Sequence, residues 1–222
     1  MSAGLLLMFA LWTLLIQWVD VKAAGPDNSK VGFASLNVWF HGLTGVNMTL
    51  YAVTDWLGLV PVLICCCFAA KGAVQWVRRK HVLRVDADII LLGVYYLLVI
   101  AGYLFFEMVP VNYRPVLIDG RLEASYPSST TLLVLSVMPT LKYQADRRAK
   151  NVKTRRMADT FAILFAVFMA AGRLLSGVHW ATDIVGSVLL SAGLYTAYRT
   201  AVGYADERNA ERLNEERKDG VS

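Results

Sequence analysis

One arginine, one histidine and one aspartate interrupt a strongly apolar part of this chain, in the stretch Gly172-Arg173-Leu-Leu-Ser-Gly-Val-His179-Trp-Ala-Thr-Asp183. An Arg or Asp at the centre of a bilayer costs roughly 2.5–3.5 kcal/mol even on the gentler insertion scales, so such residues line a polar site rather than serve packing. His179 and Asp183 are four apart, which on a helix puts them on one face. The carboxylate can then accept from one imidazole nitrogen and leave the other as a nucleophile. Arg173 is a planar, permanently charged fork, and Arg114-Pro115 supplies another; both suit the oxygens of a phosphoryl group. Ser128, Ser129 and Thr130 open a further apolar run, where hydroxyls and free N–H groups make an anion-favouring helix N-terminus. Together these parts fit phosphoryl transfer through a phosphohistidine, with charge on the equatorial oxygens met by fixed donors.

The elements that must position them are membrane helices. At 222 residues and 56% hydrophobic the chain has room for one domain, 1–222, and is too apolar for a soluble one. Apolar runs at 4–19, 56–77, 89–106, 128–141, 157–171 and 180–198 approach or reach the roughly 20 residues that cross a bilayer. The first is read as a retained helix, because no basic region precedes it, although Val21-Lys-Ala-Ala-Gly25 faintly resembles a small-residue cleavage site. Between the first two runs, Phe33, Leu36, Phe40 and Leu43 recur at helical spacing among Ser35, Asn37, His41 and Thr44, which predicts an amphipathic surface helix over 31–48 with Trp39 at interfacial depth. The expected fold is all-α: a six-transmembrane-helix bundle with an extracytoplasmic amphipathic surface helix, a core of about 50–200 and a charged cytoplasmic tail over 205–222.

Charge sets the orientation. Arg78, Arg79, Lys80 and Arg84 follow the second run, and residues 142–156 hold Lys142, Arg147, Arg148, Lys150, Lys153, Arg155 and Arg156 against the single acid Asp146. By the positive-inside rule both loops and both termini are cytoplasmic. The surface helix, the polar connection 108–126, the start of the fourth run and the Arg173 to Asp183 stretch then share the outer face. The net charge of +5 is spent on such loops, so no nucleic-acid partner is expected. Cys65, Cys66 and Cys67 are consecutive inside an apolar run and read as packing residues, with no disulfide or metal-site spacing. His81, between Lys80 and Arg84, reads as part of a cytoplasmic loop.

These residues resemble the type 2 phosphatidic acid phosphatase superfamily, related to vanadium-dependent haloperoxidases, over roughly residues 50–200. Arg173-x5-His179-x3-Asp183, with Ser176-Gly177 before the His and Gly186 after the Asp, is similar to its third signature. Arg114-Pro115 looks like the end of the first, Lys-x6-Arg-Pro, and Pro127-Ser128 like the start of the second, Pro-Ser-Gly-His. The resemblance implies a nucleophile at His179, an aspartate partner at Asp183, and hydrolysis of a lipid phosphate or polyprenyl pyrophosphate in a bacterial inner membrane, without metal or cofactor. The chain departs from the family where Glu107 replaces the first-signature lysine, Ser129 and Thr130 the glycine and histidine of the second, and Gly172 the serine before the third. The missing histidine is the family's general acid, whose loss typically costs about 10²–10⁴-fold. His41 and Glu107 are on the same side and are possible replacements. The alternative is a catalytically weakened lipid-phosphate binder or transporter.

Overall fold

The structure is a computed structural model and describes residues 1–219. It is mostly helical: α1 (Ser2–Trp18), α2 (Ala34–Thr44), α3 (Met48–Leu57), α4 (Leu59–Arg79), α5 (Ala87–Met108), α6 (Ser129–Arg148), α7 (Val152–Leu175) and α8 (Ala181–Asp219). A two-residue antiparallel pair, β1 (Lys22–Ala23) and β2 (Lys30–Val31), joins α1 to α2, with Lys22 opposite Val31. Among the described residues, three stretches are long and apolar enough to cross a membrane: Met48–Arg79, Ala87–Met108 and Val152–Leu175.

Several boundaries differ from the sequence expectation for local reasons. The run expected from 56 begins at Met48, because the Asn47 side chain accepts from Leu50 N at 2.9 Å and opens α3 eight residues earlier. The basic loop expected over 142–156 is largely helix: α6 passes through Pro139 to Arg148, and Asn151 opens α7 by accepting from Lys153 N. The connection over 108–126 is an irregular hairpin. Asp119 and Gly120 both have positive φ, as a two-residue hairpin turn requires, and Ile118 and Arg121 exchange backbone hydrogen bonds across it. Farther back, Arg114 N donates to Glu123 O and Ser125 N to Asn112 O, so the hairpin delivers Arg114 and Ser125 to one place.

α6 and α8 occupy the middle. Leu92, Tyr95 and Val99 of α5 pack with Leu132 of α6 and with Leu190, Tyr198 and Val202 of α8. Val134, Val137 and Met138 on another side of α6 meet Ala162 and Met169 of α7. α1 is built into this fold along α8: Trp12 Nε1 donates to Thr182 O at 3.1 Å, and Leu6 lies against Gly193, where a Cβ would crowd it. Large apolar side chains such as Leu63, Leu97 and Leu164 face outward, the inverse of a soluble domain. In a bilayer such side chains gain little from mutual burial, so close small-residue contacts and polar links hold the helices.

One such link ties α5, α6 and α8 at the end away from Arg173. Asp88, 5% exposed, accepts from Arg148 Nη1 and Nη2 at 2.7 and 2.9 Å and from Gln144 at 3.2 Å, while Arg147 forks onto Asp206 at 2.7 and 3.0 Å. Removing one partner of a buried pair strands the other, at a cost of about 3–5 kcal/mol. Asp88→Ala is therefore expected to lower the thermal unfolding midpoint in detergent markedly, and Asp206→Ala, at a half-exposed position, much less.

Candidate functional site

The site begins in the five-residue turn between α7 and α8. Arg173 is in the last turn of α7, and Ser176 Oγ donates back to its carbonyl at 2.8 Å. Gly177 then has φ +70°, and a Cβ there would collide with the Gly45 carbonyl, so the turn fits against the α2–α3 linker only as glycine. Asn47 N donates to Ser176 O at 2.9 Å and His41 Nε2 lies 3.1 Å from Gly177 O, both from that linker's side. Trp180 Nε1 donates to Tyr113 O at 2.7 Å, which fastens the hairpin to the turn.

His179 lies in this turn, before α8 begins, so the expectation that it shares a helical face with Asp183 is corrected. Its Nδ1 is 3.1 Å from the Ser125 carbonyl and 3.3 Å from Ser125 Oγ, but 3.6 Å from Asp183 Oδ2, beyond hydrogen-bond reach. A carbonyl only accepts, so Nδ1 carries the proton and Nε2 presents its lone pair, 3.5 Å from Arg173 Nη2. Asp183 Oδ2 instead accepts from Trp180 N at 2.8 Å and from Ser125 Oγ in a short contact. The carboxylate thus caps α8 and acts on the imidazole through Ser125 and through space. Burial pushes the imidazole down to about 4, Asp183 opposes this, and the charges of Arg114 and Arg173 add to the lowering.

Both guanidiniums are buried, Arg173 at 1% exposure, and both lie near the Tyr51 ring, at 4.8 Å for Arg173 and 5.8 Å for Arg114. Arg173 Nη1 is 3.4 Å from Asp55 Oδ1; Arg114 Nε is 3.1 Å from Glu123 Oε2, in ion-pair but not hydrogen-bond geometry. Arg173 Nε, Arg114 Nε, Arg114 Nη1 and Asp183 Oδ1 are buried without a hydrogen-bond partner. Three unfilled cationic donors around one neutral imidazole suit a tetrahedral oxyanion.

A chamber of about 500 Å³ opens onto His179 and Arg114, lined also by Arg121, Glu107, Glu123, Tyr103 and Ser129 among others; Arg173 and Asp183 are not part of its lining. At Tyr103 and Ser129 it adjoins a second cavity of about 410 Å³, lined by Asp55, Thr130 and the apolar Leu59, Val62, Val99, Ile100 and Leu133.

Of the residues singled out in the sequence, Arg114, Ser129, Arg173, His179 and Asp183 come together. Ser128 is buried behind them, its hydroxyl 3.0 Å from Thr131 Oγ1 and its carbonyl accepting from Ser187, so it offers no free hydroxyl to the chamber. Thr130 lines the apolar cavity rather than the chamber. Glu107 lines the chamber, but the carboxylate beside Arg114 is that of Glu123. His41 is held by Gly177 O and packs its ring on Trp180 at 5.6 Å, behind the turn. Sequence reading missed Tyr51, Asp55, Glu123 and Ser125. The Asp119-Gly120 turn would have exposed the last two, since it implies that Arg114 and residues near 123–125 face each other.

Fold and site together define a helical integral membrane protein with a polar, arginine-bearing pocket beside a neutral histidine. The chain belongs to the PAP2 superfamily, whose model matches residues 89–207. It is also similar to the crystal structure of a transmembrane PAP2-type phosphatidylglycerolphosphate phosphatase from Bacillus subtilis, at 19% identity and a TM-score of 0.61, over 93% of this chain and 96% of that one, which shows a shared fold. No curated protein sequence matches the chain. Tyr51 and Asp55 lie outside the segment that carries the family pattern.

The lowered His179 value fixes the sign of a pH effect. The unfolded chain takes up this proton near 6.5 and the folded one only near 4, so His179 counts against the folded state as pH falls through that window. Ring-nitrogen NMR in detergent is expected to show His179 still neutral at pH 5. His179→Gln is expected to flatten the loss of stability between pH 6.5 and 4.

Proposed function

We propose that this protein is a membrane lipid phosphatase that hydrolyses the phosphomonoester or pyrophosphate of a lipid through a phosphohistidine intermediate. The observation that carries this reading is the junction of the two cavities: a polar chamber bearing His179, Arg114 and Arg121 shares Tyr103 and Ser129 with an apolar cavity suited to a hydrocarbon chain. An amphiphile placed across Tyr103 and Ser129 has its phosphoryl group at Arg114 and His179 and its chain between α4, α5 and α6.

In this mechanism Arg114 and Arg173 hold the phosphoryl oxygens with their unfilled donors, and Ser129 adds a hydroxyl and a helix-start N–H. His179 Nε2 attacks phosphorus. The Ser125 carbonyl keeps the proton on Nδ1, and Asp183, steadied by Ser125 Oγ and Trp180 N, stabilises the positive charge that develops on the ring. Water then releases phosphate. The charge neutralisation runs through the two guanidiniums, so phosphate release is expected to persist in chelator.

The same reading places the site on the extracytoplasmic face of a bacterial inner membrane, with six spans and both termini cytoplasmic, in line with the basic loops at 78–84 and 142–156. α2 supports a surface position: Ala34 and Asn37 face the protein, while Leu36, Trp39 and Leu43 are exposed as an apolar edge toward the bilayer.

A second reading, a lipid-phosphate binder or transporter that retains the anion site, is favoured by Thr130, which lines the apolar cavity and offers no acid. The two readings part in one experiment on purified protein, measuring phosphate release from phosphatidic acid and from a polyprenyl pyrophosphate. Turnover abolished by His179→Ala and increased by Thr130→His is the expected result. Vanadate binding without turnover by the unaltered chain would select the binder.

A further inference from the structure

Helix α3 brings a carboxylate to the reactive centre from outside the family-matched segment. Its residues Tyr51, Thr54 and Asp55 share one helical face, directed at the end of α7. Thr54 is fully buried, its hydroxyl turned back to Leu50 O and Tyr51 O at 2.9 Å each, so its methyl meets α7. At that contact α7 has Gly172, where an added Cβ would come within 2.7 Å of Thr54 Cγ2. The serine that the family pattern carries before the arginine is therefore replaced for a physical reason: its space is taken by Thr54. The close approach sets Asp55 next to Arg173.

The two terminal nitrogens of Arg173 face different partners. Nη2 faces His179 Nε2 at 3.5 Å and Nη1 faces Asp55 Oδ1 at 3.4 Å. A phosphoryl group bound on this guanidinium thus has the imidazole near one terminal nitrogen and the carboxyl near the other, and an in-line displacement calls for nucleophile and leaving oxygen on opposite sides of phosphorus. Asp55 lines the apolar cavity, where the lipid leaving group lies, and so does Thr130, at the family's acid position, with Gly58 beside them in the same wall. Glu107 and Glu123 line the polar chamber with His179, on the attacking side.

We propose that Asp55 is the proton carrier for the leaving oxygen, replacing from α3 the acid that Thr130 cannot be; this rests on the hydrolase reading above. A phosphomonoester monoanion brings one acidic hydrogen. As the bond from His179 Nε2 to phosphorus forms and the bond from phosphorus to the lipid oxygen breaks, Asp55 takes that hydrogen from the phosphoryl group and passes it to the leaving oxygen, releasing a lipid alcohol. In the second half water bonds to phosphorus as the Nε2–phosphorus bond breaks, and both of its hydrogens leave on the phosphate, so that step needs no carrier. Both halves close with no other reactant.

A proton carrier matters in proportion to how poor the leaving group is, whereas a mere counter-ion to Arg173 matters equally for every phosphoryl ester. The test compares full-length Asp55→Asn, Asp55→Glu and unaltered protein in micelles on phosphatidic acid, with an alkyl alcohol leaving group, and on p-nitrophenyl phosphate, with an activated one. Asp55→Asn is expected to lose about 10²–10⁴-fold in kcat on phosphatidic acid and less than about tenfold on the aryl ester. Asp55→Glu should recover part of the lipid rate, and vanadate binding by Asp55→Asn should show that the site is still formed. Equal losses on both substrates, or no loss on the lipid, overturn the role of Asp55 while leaving the hydrolase reading intact. No phosphate release by the unaltered protein overturns that reading and this role together.

Discussion

The arrangement of the site end depends on burying the guanidinium of Arg173. A charge removed from water and from lipid headgroups must be met by partners, and the chain supplies three: the Tyr51 ring and Asp55 from α3, and His179 from the turn. None of these satisfies Nε. The fold therefore holds a cation in place with part of its hydrogen-bonding capacity unused, a state that costs stability and is relieved by an anion.

Each neighbouring element then has a defined task. α3 must approach α7 closely, which Gly172 permits. The turn must fit under the α2–α3 linker, which Gly177 permits. The hairpin must place a carbonyl at His179 Nδ1, which fixes the tautomer, and its Ser125 hydroxyl connects that ring to Asp183. Tyr126, next in the chain, packs on Phe9 and Phe106 and shares a hydrogen bond of 2.8 Å with Thr13, so α1 buttresses the same hairpin. Burial raises the Tyr126 phenol well above its ordinary range, which keeps it a neutral packing group.

What the sequence made legible follows from this division. Apolar runs and basic loops are properties of single segments, so the helices and the convergence of Arg114, Ser129 and the Arg173 to Asp183 stretch could be read directly. The partners of Arg173 could not. Tyr51 and Asp55 precede the apolar run by which the second span is recognised, and no spacing ties them to a residue more than a hundred positions away. The pairing of His179 with Asp183 was anticipated from a four-residue interval that assumes helix, but the left-handed Gly177 ends α7 and leaves His179 in a turn, where a backbone carbonyl is the nearer acceptor. Ser125 was missed because its role depends on the hairpin, whose two sides carry no alternating pattern and whose one sequence signal is the Asp119-Gly120 turn. The long extents of α6 and α8 were underread for a different reason: charged residues end a membrane run without ending a helix.

The two charged clusters at opposite ends of α5 and α6 differ in how completely their charges are met. Around Asp88, each guanidinium has its carboxylate: Arg148 forks onto Asp88, Arg147 onto Asp206, and Gln144 donates to both Asp88 and the Tyr198 hydroxyl. Such a network gains nothing from a further ion and resists motion between the helices it joins. At the other end Arg114 and Arg173 face carboxylates of half-exposed residues, Glu123 at 38% and Asp55 at 57%, whose oxygens can turn to water when an anion arrives. The imidazole between the arginines is neutral and adds no competing charge. Of these two clusters, the Arg173 end is the one whose buried guanidiniums keep donors unfilled, at Arg173 Nε and at Arg114 Nε and Nη1, and it is this unmet hydrogen bonding, more than the count of charged residues, that fits it for an anion.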